Sequence, residues 1–406
     1  MKVTTLATTL AAASSSVAAL SVPVAGRDGS GGLFTIKLSP TEVRRVNEEE
    51  KFALKAAGTN FIDITQHPSL DPSSSSSSFT SALSSKNKPT PELSSTSSSQ
   101  IAAVTFPTTL THQALAAPLL PQLSKTNLRN TLEPFSAFQN RFYKSTYGTQ
   151  SSAWLLQTVR DTITSANATL ATARPFNHTA FNQPSVIATL PGSTNRTIVM
   201  GAHQDSVNWQ GRDQLNNRAP GADDDGSGTV TILEAMRVLL TNEEVRAGRQ
   251  PNTIEFHWYA AEEGGLLGSA DVWADYKERG VDAKALLQQD MTGYSKGTTD
   301  AGKEDAVGVI VDYVDTPLTE FVKGVITEYC DIGFVETECG YACSDHASAS
   351  EAGYPSSFIF ESDFANVNPT IHTANDTIDI LDFDHMLQHA KMTLAFAVEL
   401  GWTEAF

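Results

Sequence analysis

From about residue 105 to its end, the chain alternates short β-type apolar runs with stretches of helical spacing. This alternation constrains the fold more than any other feature. The runs lie at 186–190, 197–202, 253–260, 307–311 and 357–360. After the second run, Ile232, Ala235, Met236, Leu239 and Leu240 recur at i, i+3, i+4, i+7 and i+8, which is one face of a helix. Further helices are predicted over 266–279, 317–330 and 383–400. Strands alternating with helices imply an α/β fold: a mixed, mostly parallel central sheet with helices on both faces, in a single globular domain over residues 101–406. In such sheets functional residues collect at the carboxyl ends of the strands.

The front of the chain is different in kind. Residues 71–100 carry 14 serines. Such a segment buries too little apolar surface to offset its ordering entropy, so it reads as a flexible, protease-accessible linker. Residues 1–18 have a lone Lys2 before an Ala-, Leu- and Val-rich run and small residues near 16–18, the pattern of a secretory signal peptide. Between the two, FTIKLSPTEVRRVNEEEKFALKAAGTNFIDIT has a strand-like start, a charged helical middle and a strand-like end. A small ordered unit ahead of a cleavable linker suggests that 19–100 is a propeptide.

The net charge of −18 is unevenly placed. Residues 1–100 hold 9 Lys+Arg against 8 Asp+Glu, and residues 101–406 hold 19 against 38. A body so acidic argues against nucleic acid or an anionic membrane as a partner. No stretch after the leader approaches the ~18 uninterrupted apolar residues of a membrane span. The expected product is secreted, extracellular and monomeric. Arg44, Arg45, Lys51 and Lys55 are expected to face the acidic body, so that the propeptide acts as an intramolecular inhibitor. Four glycosylation sequons, at Asn167, Asn177, Asn195 and Asn375, agree with secretion. Of the three cysteines, Cys339 and Cys343 can close a small loop in an oxidising compartment or form half of a structural zinc site, for which no second cysteine pair exists.

Five motifs carry the chemistry. GAHQD ends in His203 and Asp205; PGADDDGSG contains Asp223, Asp224 and Asp225; YAAEEGGLLGS contains Glu262 and Glu263; LLQQDMTGY contains Asp290; NPTIHTANDT contains His372. Taken singly, each has an ordinary explanation: DDD before a helix caps it, and EE after a strand starts one. Together they bring imidazoles and carboxylates to one edge of a sheet, a donor set that suits zinc. Two zinc ions need one bridging carboxylate and about two further ligands each, which His203, Asp224, Glu263, Asp290 and His372 supply. The adjacent Glu262 and Glu263 can divide the remaining work, one binding metal while its neighbour acts as general base toward the metal-bound water. Asp205 is placed to accept the second imidazole N–H of His203. His257 reads as a packed core histidine, and His385 and His389 as surface residues of the last helix.

These motifs, with DTPLTEF, CGYACSDHAS and AGYP, resemble the secreted zinc aminopeptidases that include fungal leucine aminopeptidases and bacterial leucyl aminopeptidases. The resemblance runs from about residue 105 to the end, and the front segment resembles the fungal prosegment. It implies an enzyme that hydrolyses N-terminal, Leu-like hydrophobic residues from peptides with a free N-terminus. Asp224 would bridge two zinc ions, with Glu263 and His372 completing one site and His203 and Asp290 the other, and Glu262 would be the general base. It further implies a Cys339–Cys343 disulfide with Tyr341 near the substrate, and a pocket lined by Met291, Ile310, Phe358, Phe360, Phe364 and Ile371, with Val367 where bacterial relatives have tyrosine. The rivals are a one-zinc glutaminyl cyclase on the same fold, a carboxypeptidase, which would need a cation absent from these motifs, and an inactive binding relative, which would be expected to lack ligands.

Overall fold

The computed structural model describes residues 32–70 and 104–406. The predicted signal peptide and serine-rich linker lie outside these residues. Three strands open the chain: β1 (Phe34–Lys37), β2 (Val43–Val46) and β3 (Ile62–Asp63). They pair antiparallel in the order β2-β1-β3, with a helix over Glu48–Ala56 between β2 and β3. Asn47 starts this helix in a reciprocal capping box with Glu50, which satisfies two of its free backbone donors.

The main sheet has eight strands: β4 (Thr172–Phe176), β5 (Ser185–Leu190), β6 (Thr197–His203), β7 (Thr253–Tyr259), β8 (Ala283–Gln289), β9 (Ala306–Ile310), β10 (Gly333–Thr337) and β11 (Ser356–Phe360). Their order is β10-β9-β11-β8-β6-β7-β5-β4. The centre, β11-β8-β6-β7, is parallel, whereas β5 and β4 join antiparallel and β9 runs against β11. The expected mixed, mostly parallel sheet is therefore present. All five predicted strands lie within a residue of their positions. Strands β4, β8 and β10 escaped sequence reading. Thr172–Phe176 contains a proline and lies at the sheet edge, and Gly333–Thr337 is only half-buried.

The helix over Gly226–Leu239 connects β6 to β7 and is buried on nearly every side. It packs against the last helix, Phe383–Trp402, which also covers β6. That packing overturns the surface placement of two histidines. His385 and His389 are both buried, with their Nε2 atoms 3.2 Å apart. His385 Nδ1 meets Asp305 at 2.9 Å and His389 Nδ1 meets Gln289 at 2.8 Å. The helix is apolar around most of its circumference, so an i, i+4 pair carries no sign of which side faces water.

The N-terminal segment packs on the body within the unit Leu33–Phe406. Asp63 N–H donates to the Gly265 carbonyl at 2.9 Å. Ile62 and Ile64 cluster with Leu266, Ala342 and Ala347. Phe52 packs on Phe142 and Trp209. The expected charge pairing holds only in part. Arg44 and Arg45 are exposed, and Arg44 pairs with Glu42 of its own segment. Lys51 is buried on Asp63, also within the segment. Lys37, pairing with Glu351 at 2.6 Å, and Lys55 are the cations that reach across. A formal charge balance counts charges without direction, and a helix presents only some of them to its neighbour.

Candidate metal centre

The carboxyl ends of β6, β7, β8 and β11 open on one side of the sheet, and the five motifs gather there. His203 is the last residue of β6. Glu262 and Glu263 follow β7, Asp290 follows β8 directly, and His372 lies in the loop after β11. The three adjacent aspartates divide three tasks. Asp225 caps the helix through Gly228 N–H at 3.0 Å and accepts the His203 N–H at 3.0 Å. Asp223 accepts from Asn368 at 2.9 Å. Asp224 alone points between the two histidines: its Oδ1 is 3.0 Å from His203 Nε2 and its Oδ2 is 3.0 Å from His372 Nε2. The ordinary cap explanation therefore holds for Asp225 and fails for its neighbour.

Among the described residues, two clusters have ligand atoms mutually within 4.8 Å: His203, Asp224 and Asp290, and Asp224, Glu263 and His372. They share Asp224. His203 Nε2 lies 3.6 Å from Asp290 and His372 Nε2 lies 3.2 Å from Glu263. Neither Glu263 oxygen receives a hydrogen bond although both are buried. A buried carboxylate that accepts no hydrogen bond is costly, and a bound cation lowers that cost. The residues thus fit the binding of metal.

Electrostatics agree. Burial works against charge on His203, yet Asp290, Asp205 and Asp224 hold its pKa well above the ordinary value. Burial likewise opposes charge on His372, but Glu263 and Asp224 raise it. Asp224, although buried, is held far below the usual carboxylate range by the two imidazoles. A basin that draws protons onto both imidazoles is one that attracts divalent cations.

The two oxygens of Asp205 accept the N–H groups of Glu262 and Glu263 at 3.0 and 3.2 Å, and its Oδ1 stands 3.4 Å from His203 Nδ1, which makes no hydrogen bond among the described residues. Burial pushes Glu262 well above the carboxylate range, opposed most strongly by Lys55. The Lys55 Nζ lies 3.5 Å from Glu262 Oε1, with both side chains buried.

Met291, Ile310, Phe358 and Phe360 form one apolar cluster, with Ile371, Val367, Cys339 and Cys343 packed against it. Phe364 joins through Phe360, ring centroids 5.1 Å apart, and is partly exposed. Cys339 and Cys343 are disulfide-bonded, Cα atoms 6.1 Å apart. Tyr341 packs with Ile62, Ile64 and Leu266 and edge-on to Tyr313, and its hydroxyl donates to Glu351 at 2.8 Å. The small loop thus shows its sulfurs to the pocket and its tyrosine to the N-terminal segment. His346 stacks on Phe358 with centroids 4.8 Å apart. His257 is buried between Glu255 and Tyr259, as a core histidine. The sequon residues Asn167, Asn177, Asn195 and Asn375 are all exposed.

Arg141 and Asp376 went unread in the sequence, as did the specific partners of Lys55, which meets Glu262, and of Ser344, which donates to Asp290 at 2.6 Å. Ser344 and Asp376 stand inside quoted motifs, where their roles had a visible address. Arg141, a charge flanked by aromatics in QNRFY, offered a weak signal.

Comparison with known proteins places this geometry. Residues 185–397 match peptidase family M28. The chain is 53% identical over 373 residues to leucine aminopeptidase 1 of Coccidioides posadasii, covering 91% of this chain and 90% of that one. It is 52% identical to leucine aminopeptidase 1 of Phaeosphaeria nodorum, covering 91% and 89%. The crystal structure of the Legionella pneumophila LapA aminopeptidase superposes with a TM-score of 0.74 at 26% identity, covering 92% of this chain and all of that one.

Proposed function

The chain belongs to peptidase family M28, and on that premise we propose that it is a secreted, two-zinc leucyl aminopeptidase made as a latent precursor. The observation that carries the reading is Asp224, whose two oxygens each serve a separate histidine-and-carboxylate cluster. His203 and Asp290 would hold one zinc ion, Glu263 and His372 the other, and Asp224 both. When bound, the pair supplies Lewis-acid polarisation of the scissile carbonyl and lowers the pKa of the attacking water.

The chain's own residues do the rest. Glu262 takes the proton of the attacking water and returns it to the leaving amine. Asp205 holds the Glu262–Glu263 backbone beside the His203 ring. The cluster around Met291, Ile310, Phe358 and Phe360 receives a hydrophobic side chain of the N-terminal residue. A complete ligand set with an added glutamate favours hydrolysis over cyclisation by a glutaminyl cyclase-like enzyme, and over an inactive binding role.

The precursor state rests on Lys55. Its ammonium group, buried against Glu262, occupies the carboxylate that hydrolysis requires. Residues 1–18 would be removed on secretion, and cleavage within 71–100 would let the N-terminal segment leave. No helix among the described residues is long and apolar enough to cross a membrane.

The test is zinc analysis of the processed protein, together with hydrolysis of Leu-, Met-, Lys- and Glu-p-nitroanilides. Two zinc ions per chain with preference for Leu and Met supports the reading. One zinc ion, or cyclisation of an N-terminal glutamine, overturns it.

A further inference from the structure

The aspartate loop is held by two fully buried side chains, and each ties it to a different histidine. Arg141 comes from the loop before the helix Thr146–Ser165, outside residues 185–397. Its Nε donates to the Gln204 carbonyl at 2.7 Å, the residue after His203. Its Nη1 and Nη2 donate to the carbonyls of Pro220 and Gly221, the latter at 2.8 Å. Its own N–H donates to Ser206, whose hydroxyl continues to the Ala219 carbonyl. The planar fork thus pins the His203 loop to the Asp224 loop at fixed separation, a task that a lysine's single point charge cannot copy. Gly221 leaves the room: at φ +50 a Cβ there would sit 2.8 Å from the guanidinium and 2.4 Å from Ser206.

Asp376 does the equivalent on the other side. It lies four residues after His372 in the same loop. Its two carboxylate oxygens accept the N–H groups of Asp223 and Asp224 at 3.0 and 3.1 Å, and its carbonyl accepts Ala222 N–H at 3.2 Å. The Asp224 backbone is thereby fastened to the His372 loop.

Resting on the two-metal reading above, we infer that Arg141 and Asp376 are positioning residues of separate sites. Arg141 sets the His203–Asp224 spacing and hence the site completed by Asp290. Asp376 sets the His372–Asp224 spacing and hence the site completed by Glu263. Neither touches substrate. A merely structural role would weaken both sites together, whereas this arrangement predicts opposite asymmetry in the two variants.

The experiment uses the processed holoenzyme as wild type, Arg141→Met, Arg141→Lys, Asp376→Ala and Asp376→Asn. Each is equilibrated with zinc at limiting buffered concentrations. Occupancy at each position is read from zinc anomalous diffraction, with solution isotherms alongside. Losing a residue that orients metal ligands typically costs about 10–100-fold in affinity. That loss is expected at the His203–Asp290 position for Arg141→Met, with the Glu263–His372 position within about threefold of wild type. Arg141→Lys should show the same asymmetry, reduced. The Asp376 variants should show the reverse. Melting of the zinc-stripped proteins reports whether a variant still folds; where Met or Ala does not, the Lys and Asn variants carry the comparison. Equal loss at both positions, or no loss at either, overturns the inference. A wild type that binds only one zinc ion overturns the two-metal reading and this inference with it, and is recognised without any variant.

Discussion

The loop after β7 is used on two faces. On one, Glu263 meets His372 at 3.2 Å within a cluster whose members hang from the ends of central strands. On the other, Gly265 takes an N–H from Asp63, Leu266 packs on Ile62, and Glu262 meets Lys55. The first face draws on four strands of one sheet and on backbone hydrogen bonds to Asp205, Asp225 and Asp376. The second depends on a short segment with three small strands and one helix. The ligand face is therefore built into the whole sheet, whereas the docked face rests on contacts with one short segment. Adjacent glutamates thus face two different partners, His372 on one side and Lys55 on the other.

The largest expected effect breaks the catalytic half of this comparison. Glu262→Gln in the processed protein should keep both zinc ions and lose about 10²–10⁴-fold in kcat. In the uncut protein the same substitution should loosen the N-terminal segment, because the neutral amide offers Lys55 no charge. Zinc analysis, steady-state rates and protease nicking of the linker check the two halves. Retained turnover or lost zinc would remove Glu262 from the base role.

Asp224→Asn should weaken both metals, about 10–100-fold each, whereas Asp290→Asn should weaken mainly one. The reason is that the bridging carboxylate offsets repulsion between two cations. Zinc isotherms of the two variants decide it, and identical profiles would count against a bridge.

Lys55→Met addresses the docked face. Removing one partner of a buried pair leaves the other uncompensated, so the docked state should lose stability. Uncut Lys55→Met is expected to hydrolyse Leu-p-nitroanilide at least about tenfold faster than the uncut wild type, the short tether notwithstanding. After cleavage and removal of the segment the two should be identical. An uncut variant as latent as the wild type would show that the segment holds without its lysine.

The smallest effect concerns the helix His346–Ala352, which serves both faces. Glu351 pairs with Lys37 of the N-terminal segment, and His346 stacks behind Phe358 of the pocket. Burial pushes the His346 pKa down to about 3. An unfolded histidine titrates near ~6.5, so between these values the unfolded chain binds one more proton and stability falls as pH falls. From pH 7 to pH 5 this group costs about 2 kcal/mol. Denaturant unfolding of the zinc-stripped protein at both pH values should show His346→Phe less acid-sensitive by that amount. An unchanged difference would mean that His346 is protonated in the folded state.

The residue types and their local order were enough to read the sheet class and the motifs that supply the candidate ligands. Each of those signals is local: an apolar β-type run fixes a strand, the residue at its end fixes where a donor emerges, and parallel strands bring their ends together. The resemblance carried by the motifs supplied the assignment of the middle aspartate, which strand logic left equal to its neighbours. The remaining features are long-range. Arg141 reaches Gln204 and Gly221 across sequence separations of 63 and 80 residues. Lys55 sits in a charged helix beside Lys51, and nothing in that sequence distinguishes the lysine that turns inward to Asp63 from the one that crosses to Glu262. His385 and His389 look like a surface pair until the helix is packed on its neighbours. Sequence determines which groups emerge where along each element because backbone geometry is periodic. Which of them meet depends on how the elements dock, and only the tertiary structure decides that.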